Sequence, residues 1–317
     1  YLRRARDCAE LTIPYLMPPE GHNEHSVMPE PYQGLGARAV VSLSARLMVA
    51  MYPPGKPSFK LDIPPEQRIA QGEMAIGTDI VQGLVLSEQL IQSEIERKQW
   101  RRATNLVLQY LLVTGNALEM MQPDNSIRVF RLDQYCVSRD ITGAVKEIIT
   151  EEYLSPEALP ESARKLVAAD DFSQNSVPLY THCKMDRDGV FVCYQEINGK
   201  KVAGSEGRYE TLPYNALRYT SVIGEDYGRG KVDEHLPDLR TVDALSKSML
   251  DGAAMASRNV TMIRPNAAGG LNLRRRFAQA DNGAIIIGNP EDVVMLQFAN
   301  NSGMQLCANE LERQTRE

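Results

Sequence analysis

The sequence predicts an α+β protein, in which helical and extended stretches occupy separate parts of the chain. Two periodicities support this prediction. From Val232 to Ala253, apolar residues recur at steps of three and four, which is the pattern of a helix that buries one face. Between Ala117 and Ile197, apolar and polar residues alternate, and turn sequences such as Asp188-Gly189 separate the segments. The chain is therefore expected to combine a long helix with antiparallel hairpins.

The first third of the chain is predicted to be mainly helical. The expected elements are, in order, a helix at 2–13, a loop at 17–31, a helix at 32–52, a strand at 59–63 and a mostly helical segment at 66–121. Gly34, Gly36 and Ala39 form part of a dinucleotide-binding fingerprint. No predicted strand precedes them and no acidic residue follows at the required distance, so they are interpreted as a helix start and not as a cofactor site.

Basic residues cluster around Trp100 in this helical region. The cluster consists of Arg97, Lys98, Arg101 and Arg102. Such a cluster fits a nucleic-acid contact, a solvated helix face or a contact between neighbouring subunits. The last two interpretations are favoured.

The middle of the chain is predicted to form a series of antiparallel strands. The segments are 117–121, 127–132, 135–138 and 144–153, followed by a hairpin of 177–185 and 190–197 and by a strand at 216–223. A helix is expected at 155–168, with Ser155 as its cap and Pro156 at its first position.

A polar turn then leads into the long helix. Gly228 and Gly230 allow the backbone to turn, and Glu225 and Asp226 are expected to accept the free N–H groups at the helix start. Pro237 fits the first turn of the helix or marks a kink. Beyond Pro237 the helix would extend about 30 Å, at about 1.5 Å per residue.

The last part of the chain is predicted to be mixed. Strands are expected at 260–263, 284–287 and 293–297, followed by a polar loop at 298–303 and a helix from Met304 onward. The sequence begins without Met and ends within a charged helical pattern, so both ends are expected to continue further.

Composition indicates a globular protein and limits its function. The chain has 317 residues, of which 43% are hydrophobic and 24% charged, and its formal net charge is −6. No apolar run approaches the ~20 residues of a membrane-spanning helix, so no membrane partner is expected. Proteins that bind duplex DNA tightly through its phosphates are usually basic. The acidic charge therefore disfavours a tight or site-specific DNA-binding protein.

Cysteine usage indicates a reducing compartment, because the five cysteines are odd in number and scattered along the chain. This pattern argues against a disulfide framework, although Cys183 and Cys193 flank the predicted hairpin and could face each other. No second pair of ligands at zinc spacing accompanies them, even with His182 included, so no metal site is expected. The sequence also contains no phosphate-binding loop, HExxH motif or nucleophile elbow. No enzyme and no cofactor are predicted.

Four short motifs occur in one order along nearly the whole chain. They are Arg6-Asp7-Cys8-Ala9 with Thr12-Ile13-Pro14, Arg131-Leu132-Asp133-Gln134-Tyr135, Tyr180-Thr181-His182 and Gly224-Glu225-Asp226-Tyr227-Gly228-Arg229. Each motif is weak alone. In this order, the chain resembles the portal proteins (head-to-tail connectors) of short-tailed double-stranded DNA podoviruses of the Autographiviridae type. The last motif resembles the turn into the portal stem helix, so the resemblance places the start of the stem at Asp226, Tyr227, Gly228 and Arg229.

The resemblance implies a portal fold built from four regions. Residues 1–223 would form the α/β wing, 224–259 the long stem helix, 260–290 a small α/β clip with a short return helix, and 291–317 the tunnel loop and the start of a wing or crown helix. The clip would present Arg264, Arg274, Arg275 and Arg276 to an adaptor. The tunnel loop that narrows the channel would contain Phe298, Asn300, Asn301, Ser302 and Gly303.

The resemblance also implies a structural function. Portal subunits form a dodecameric ring at one capsid vertex, through which DNA is packaged and ejected and to which the tail attaches. The expected partners are other copies of the chain, the major capsid and scaffolding proteins, terminase during packaging, the tail adaptor or gatekeeper, internal core proteins, and double-stranded DNA that passes without sequence specificity. The ring would be assembled in the host cytoplasm and reside in the virion.

Two other classes of function remain as alternatives. A non-viral oligomeric helical scaffold or adaptor would share the acidic charge and the amphipathic helices, but it would form a small oligomer. A nucleic-acid enzyme would need metal-binding acids and would bind DNA in a salt-dependent way.

Overall fold

The computed structural model describes residues 1–23, 25–54, 57–63, 78–167, 176–256, 260–263, 293–296 and 301–316. The chain divides into two compact units, Tyr1–Leu239 and Arg240–Glu317. Helices and antiparallel sheets occupy separate stretches, so the predicted α+β class is confirmed. No helix in the described part of the chain combines the length and the hydrophobicity that a membrane span requires.

The first unit is organised around one helix. Its helices are α1 (Leu2–Glu10), α2 (Leu35–Met51), α3 (Thr78–Arg97), α4 (Trp100–Thr114), α5 (Glu161–Arg164) and α6 (Lys231–Glu234). Helix α4 packs against α1, α2, α3 and α6, because its sequence supplies buried residues such as Val107, Leu112 and Val113. Gln99 adopts a left-handed backbone (φ 55°) and separates α3 from α4, so the predicted helical segment is two helices.

Two antiparallel sheets complete the first unit. Their strands are β1 (Asn116–Met121), β2 (Ile127–Phe130), β3 (Tyr135–Arg139), β4 (Val145–Leu154), β5 (Val177–Met185), β6 (Phe191–Ile197), β7 (Lys200–Lys201), β8 (Gly207–Tyr209) and β9 (Tyr214–Arg218). The smaller sheet has the order β2-β1-β9. The larger sheet runs β3-β4-β5-β6, with β7 and β8 both pairing with β6. The strands predicted between 117 and 197, including the hairpin of β5 and β6, are thus confirmed, whereas the strand expected at 216–223 lies at Tyr214–Arg218.

The main core joins the helices to both sheets. Its side chains include Leu16 at 1% exposure, Leu112 at 1%, Leu118 at 0% and Ile148 at 0%, which come from the 3₁₀ turn Pro14–Leu16, α4, β1 and β4. A second cluster forms where α5 packs on the larger sheet, and it contains Leu159, Ala163, Val177 and Ile197. Burial of one face of each element therefore fixes both sheets to the helical layer.

Two predicted elements of the first unit are wrong. Residues 59–63 form no strand, because the Leu61 N–H donates to the Glu88 side chain of α3 (2.5 Å) and not to a neighbouring strand. The helix expected at 155–168 is instead a 3₁₀ turn, Pro156–Ala158, followed by the short helix α5. Pro160 separates them, since it has no N–H to continue the helical hydrogen bonds. Ser155 makes no capping hydrogen bond through its side chain.

The long helix α7 (Leu236–Ala256) begins in the first unit and continues into the second. Pro237 lies in its first turn, as predicted. The second unit also contains the antiparallel pair β10 (Val260–Ile263) and β11 (Val293–Leu296) and the helix α8 (Asn301–Arg316). The chain leaves this pair after Ile263 and returns at the opposite residue, Val293.

Helix α8 starts earlier than the sequence suggested. Asn301, Ser302 and Gly303 were predicted to belong to a polar loop, and they form the first turn of the helix. Asn and Ser are common at the amino ends of helices, so these polar residues are compatible with a loop or with a helix start.

The cysteines also differ from the prediction. Cys183 and Cys193 lie directly opposite each other in the hairpin of β5 and β6 and form a disulfide. The sequence indicated that these two residues could face each other across the hairpin, but the scattered, odd-numbered cysteines argued against a disulfide framework. Cys8, Cys136 and Cys307 form no disulfide.

Candidate functional site: the turn before the long helix

Residues 224–230 form the turn that carries the chain from the sheets to α6 and α7. The turn is attached to the body of the first unit by backbone as well as side-chain contacts. Thr220 and Arg229 form an antiparallel bridge, in which the N–H of Arg229 donates to the carbonyl of Thr220 at 2.9 Å and the reverse bond is 3.2 Å. This bridge therefore joins the two ends of the turn, and α6 begins two residues after Arg229.

A buried asparagine holds the centre of the turn. Asn116, 3% exposed, lies at the start of β1. Its Oδ1 accepts the N–H of Gly228 at 2.7 Å, and its Nδ2 donates to the carbonyl of the same residue at 3.0 Å. One side chain thus bonds both backbone groups of the buried Gly228, and Arg4 also donates to its carbonyl at 3.4 Å.

Close backbone contact explains the glycines around this asparagine. Gly115 ends α4 with a left-handed backbone (φ 77°), and a Cβ atom there would lie 2.4 Å from the carbonyl carbon of Arg229 and from the amide nitrogen of Gly230. A Cβ atom at Gly228 would lie 2.9 Å from the carbonyl oxygens of Gly115 and Thr220. The two backbone segments therefore pack against each other with no space for a side chain.

Tyr227 fills the next position and seals one side of the turn. Its ring stacks on that of Tyr1 with centroids 3.7 Å apart, and its hydroxyl accepts the N–H of Val137 at 3.1 Å. Burial raises the pKa of the Tyr227 hydroxyl above its usual range. The amino end of the chain and strand β3 thus both contact the turn.

Charged side chains surround the turn. Asp226 Oδ1 accepts the N–H of Arg139 at 2.8 Å, and its carbonyl accepts Nε of the same arginine at 3.0 Å. Burial lowers the pKa of the Arg139 guanidinium. Arg229 pairs with Glu225 at 3.1 Å, and Arg4 pairs with Asp233 of α6 at 3.4 Å.

These contacts correct the predicted role of the two acids. Glu225 and Asp226 were expected to cap the helix, but α6 begins at Lys231, after Gly230, and has no side-chain cap. Their carboxylates bind Arg229 and the backbone of Arg139 instead. Residues 226–229, predicted to be the turn into the stem helix, lie in this turn, and the first helical residue is Lys231.

Sequence reasoning missed the groups that hold this turn. Gly115, Asn116 and Arg139 lie about a hundred residues earlier in the chain and match no motif. The available signal was the polar sequence Thr114-Gly115-Asn116 between an apolar helix and an apolar strand, where buried polar residues need a partner.

The predicted arginine and loop sites fall mainly outside the described residues. Arg264, Arg274, Arg275 and Arg276 all lie there, as do Phe298, Asn300 and the strand expected at 284–287. Only Asn301, Ser302 and Gly303 are described, at the start of α8.

The basic cluster around Trp100 is largely neutralised. Its ion pairs are Arg97 with Glu94 at 2.6 Å, Lys98 with Asp124 at 2.9 Å and Arg101 with Glu96 at 3.9 Å. The Trp100 indole donates to the carbonyl of Asn125 at 2.8 Å. Cations already paired in this way attract phosphates weakly, so the arrangement favours a solvated helix face over a nucleic-acid contact.

The third resemblance motif, which ends at His182, forms no ligand set for a metal. One ring nitrogen of His182 bonds Glu147 and the other bonds the Tyr194 hydroxyl. The hydrogen bond from His182 lowers the pKa of the Glu147 carboxyl. Within the described residues, no group of three or more His, Cys, Asp or Glu side chains could hold a metal ion.

Comparison with known proteins identifies relatives along the whole chain. Residues 1–315 match the family model described as bacteriophage head to tail connecting protein. The chain is 32% identical over 312 residues to the portal protein of Escherichia phage T7, which covers 94% of this chain and 57% of that protein. It is 32% identical over 309 residues to the portal protein of Enterobacteria phage T3, with the same coverage of 94% and 57%. The chain thus spans less than two thirds of the length of these curated relatives.

Among solved structures, the chain is similar to one from the virion of a native gene transfer agent particle. The identity is 13% and the TM-score is 0.35, and the likeness covers 68% of this chain and 53% of the other.

Proposed function

The chain belongs to the family of bacteriophage head-to-tail connecting proteins, and we propose that it is a structural portal subunit, which forms the ring-shaped channel at one capsid vertex. The observation that carries this proposal is the match over residues 1–315, because it includes the turn, the long helix and the sheets in one order. In this proposal the ring is a dodecamer that admits DNA during packaging, releases it during ejection and holds the tail.

The turn before the long helix would hold the start of that helix in place while DNA moves through the channel. A helix that lines a channel has to keep its direction while DNA moves past it. Asn116 of β1 bonds the backbone of Gly228, and Tyr227 and Asp226 accept the N–H groups of Val137 and Arg139 in β3, so the turn cannot move without breaking hydrogen bonds to two strands. The same contacts would tie the proposed stem at residues 224–259 to the proposed wing at residues 1–223.

The charge of the chain suits a channel through which DNA slides. With a net charge of −6, many copies around one axis would repel phosphates and would not release enough counterions to hold a duplex tightly. The long helix itself carries Asp238, Asp243 and Asp251 against Arg240 and Lys247. DNA would therefore pass without sequence specificity.

The clip and the tunnel loop are assigned by the resemblance. The antiparallel pairing of β10 with β11 supports a clip over residues 260–290, because it brings the two ends of residues 264–292 together. Arg264, Arg274, Arg275 and Arg276 would contact the tail adaptor there. Residues 298–303, including the first turn of α8, would restrain the duplex in the channel.

The remaining partners also follow from the family. They are the major capsid and scaffolding proteins, terminase during packaging, the tail adaptor or gatekeeper and the internal core proteins. The subunit would be assembled in the host cytoplasm and would reside at the portal vertex of the virion. No catalysis is assigned to it, and the packaging ATPase is a separate partner in this proposal.

Particle mass and imaging test the proposal. The full-length protein is purified, its mass is measured in solution, and the same sample is imaged. A ring of about a dozen subunits with a central hole wide enough for duplex DNA is expected. A monomer or dimer under every condition would contradict the portal assignment and favour the alternative, a non-viral oligomeric helical scaffold.

The tunnel loop has its own test. Replacing both Asn300 and Asn301 by Ala should leave ring assembly intact and reduce the retention of packaged DNA, because the amides that contact the duplex are removed. Retention is measured as nuclease-sensitive DNA released from filled heads. Normal heads with unchanged retention would show that these two residues do not restrain the duplex.

A further inference from the structure

The exposed apolar side of α3 is the least expected surface of the first unit. Six large apolar residues within twelve positions are between 42% and 70% exposed; Ile80, Leu86, Leu90 and Ile91 share one side of the helix, and Val81 and Val85 lie on another. Single exposed apolar residues are normal, but a contiguous set on one helix marks a surface that another molecule covers.

Helix α3 is packed only along one side and near its carboxyl end. Near the carboxyl end of α3, Ile95 is 6% exposed. Residues 57–63 contact the helix through hydrogen bonds from Leu61 to Glu88 and from Ser58 to Gln92. Leu86 and Leu90, 61% and 70% exposed, lie four residues apart and about half a turn from Glu88. They therefore form a ridge on the side of the helix that faces away from these contacts.

Helix α2 exposes a surface of the opposite kind. Arg38, Ser42, Ala45 and Val49 recur at steps of four, three and four, and all four are exposed. Apart from the arginine, the side chains of this row are small, so it presents a shallow groove into which a ridge of leucines can pack. Both helices pack on α4 within one subunit through their other sides.

The two helices also have opposite charges. Helix α2 contains Arg38 and Arg46 and no acidic residue, which gives +2. Of the four acidic residues of α3, Glu88 lies on the packed side and Glu94 and Glu96 pair with arginines, which leaves the exposed Asp79 at the start of the ridge. Within the described part of the chain, neither Arg38 nor Arg46 takes part in an ion pair; Arg38 contacts only the carbonyl of Gly34 through its side chain. Such complementarity favours the approach of these two surfaces and disfavours pairing of either one with itself.

We propose that these surfaces meet in the ring, with the Leu86–Leu90 ridge of one subunit packed in the Arg38–Val49 groove of a second copy of the chain. The inference rests on the proposed ring and assigns its subunit contact. Because the two surfaces differ, the contact is heterologous, and each subunit keeps one free ridge and one free groove until the ring closes. A closed ring thus covers every exposed α3 surface.

Cysteine crosslinking of the full-length protein tests the contact. In a background with Cys136→Ser and Cys307→Ser, the double variant Val49→Cys and Leu90→Cys is treated with a short bismaleimide and run on a denaturing gel. A ladder that extends from dimer to the complete ring is expected. Co-assembled subunits that carry only one of the two cysteines each should give dimers and no higher bands.

Substitution of the ridge gives a second readout. Leu90→Asp should raise the concentration at which half of the subunits are in rings by at least about tenfold, since it places a charge in an apolar contact. Ile141→Asp is the matched control, because Ile141 is also exposed and lies in a turn remote from both helices in sequence; it should assemble like the parent protein.

The outcomes separate the inference from the function. Rings that give no ladder and tolerate Leu90→Asp would overturn the contact and leave the portal assignment intact. A crosslink within the monomer would show that another part of the same chain covers α3, which also overturns it. Failure of the parent protein to form rings at all would count against the proposed function itself.

Discussion

Substitution of Gly115 by alanine measures how closely the turn before the long helix is packed. Gly115 has a φ of 77° and a Cβ atom there would lie 2.4 Å from two backbone atoms of residues 229 and 230. Ordinary van der Waals contact begins at about 3.5 Å. The alanine can therefore be accommodated only if the turn moves away by about 1 Å.

The loss in the free energy of unfolding that Gly115→Ala should cause has two contributions. A left-handed backbone costs an alanine about 1–2 kcal/mol. A shift of about 1 Å would lengthen the bonds of Asn116 to Gly228, now 2.7 and 3.0 Å, beyond hydrogen-bonding distance. The buried Oδ1 of Asn116 would then lose its partner, at about 1–3 kcal/mol. The free energy of unfolding should fall by about 2–5 kcal/mol in total.

Gly189 provides the matched control. It has nearly the same backbone, with a φ of 78°, and no atom lies within 4 Å of the position that its Cβ would occupy. Gly189→Ala should therefore cost only the backbone contribution of about 1–2 kcal/mol.

Denaturant unfolding of both variants and the parent, followed by circular dichroism, gives the two differences in free energy. Equal losses for the two variants would refute the close contact between residue 115 and the turn. Similar m-values in all three proteins are needed for the comparison, because a change in m indicates a different unfolded or native state.

Two further predictions concern the same turn. Asn116→Ala should lower the free energy of unfolding by about 1–3 kcal/mol, because both backbone groups of Gly228 lose a buried partner. Asn215→Ala is the control: it removes an exposed bond to Glu119 and should change the free energy of unfolding by less than about 0.5 kcal/mol. Equal effects of the two substitutions in urea titrations would argue against the buried pairing. Tyr227→Phe should reduce the loss of stability at alkaline pH. In the parent protein the pKa of Tyr227 is higher in the folded state than the unfolded value of about 10, so the unfolded state releases its proton first. The free energy of unfolding of the parent therefore falls as pH rises above 10, by up to about 1.4 kcal/mol per pH unit. Parallel stability curves for the parent and Tyr227→Phe between pH 9 and 11 would show that the hydroxyl titrates normally in the folded protein.

The sequence indicated most of the secondary structure, because each element carries its own period. The hairpin of β5 and β6 was predictable from alternation and an Asp-Gly turn, and α7 from its apolar stripe. The failures have local physical causes. Pro160 interrupts the helix expected at 155–168, and the carboxylate of Glu88 takes the N–H that residues 59–63 would have needed for a strand.

The candidate site was predicted only in part. Residues 226–229 were identified as the turn into the helix, but Glu225 and Asp226 were expected to cap that helix, which they do not. The residues that contact the turn, Gly115, Asn116 and Arg139, belong to other parts of the chain, and the sequence of the turn does not indicate them. The clip arginines and residues 298–303 remain predictions.

The amino-acid sequence was sufficient to predict the α+β class, the order of most elements and the family, because periodicity and short motifs are properties of neighbouring residues. The folded structure was needed to show which polar residue bonds the buried backbone of Gly228, that Cys183 and Cys193 form a disulfide, and which apolar helix side is exposed. Each of these depends on the distance between residues that are remote in the chain, and that distance is set by packing of the whole core.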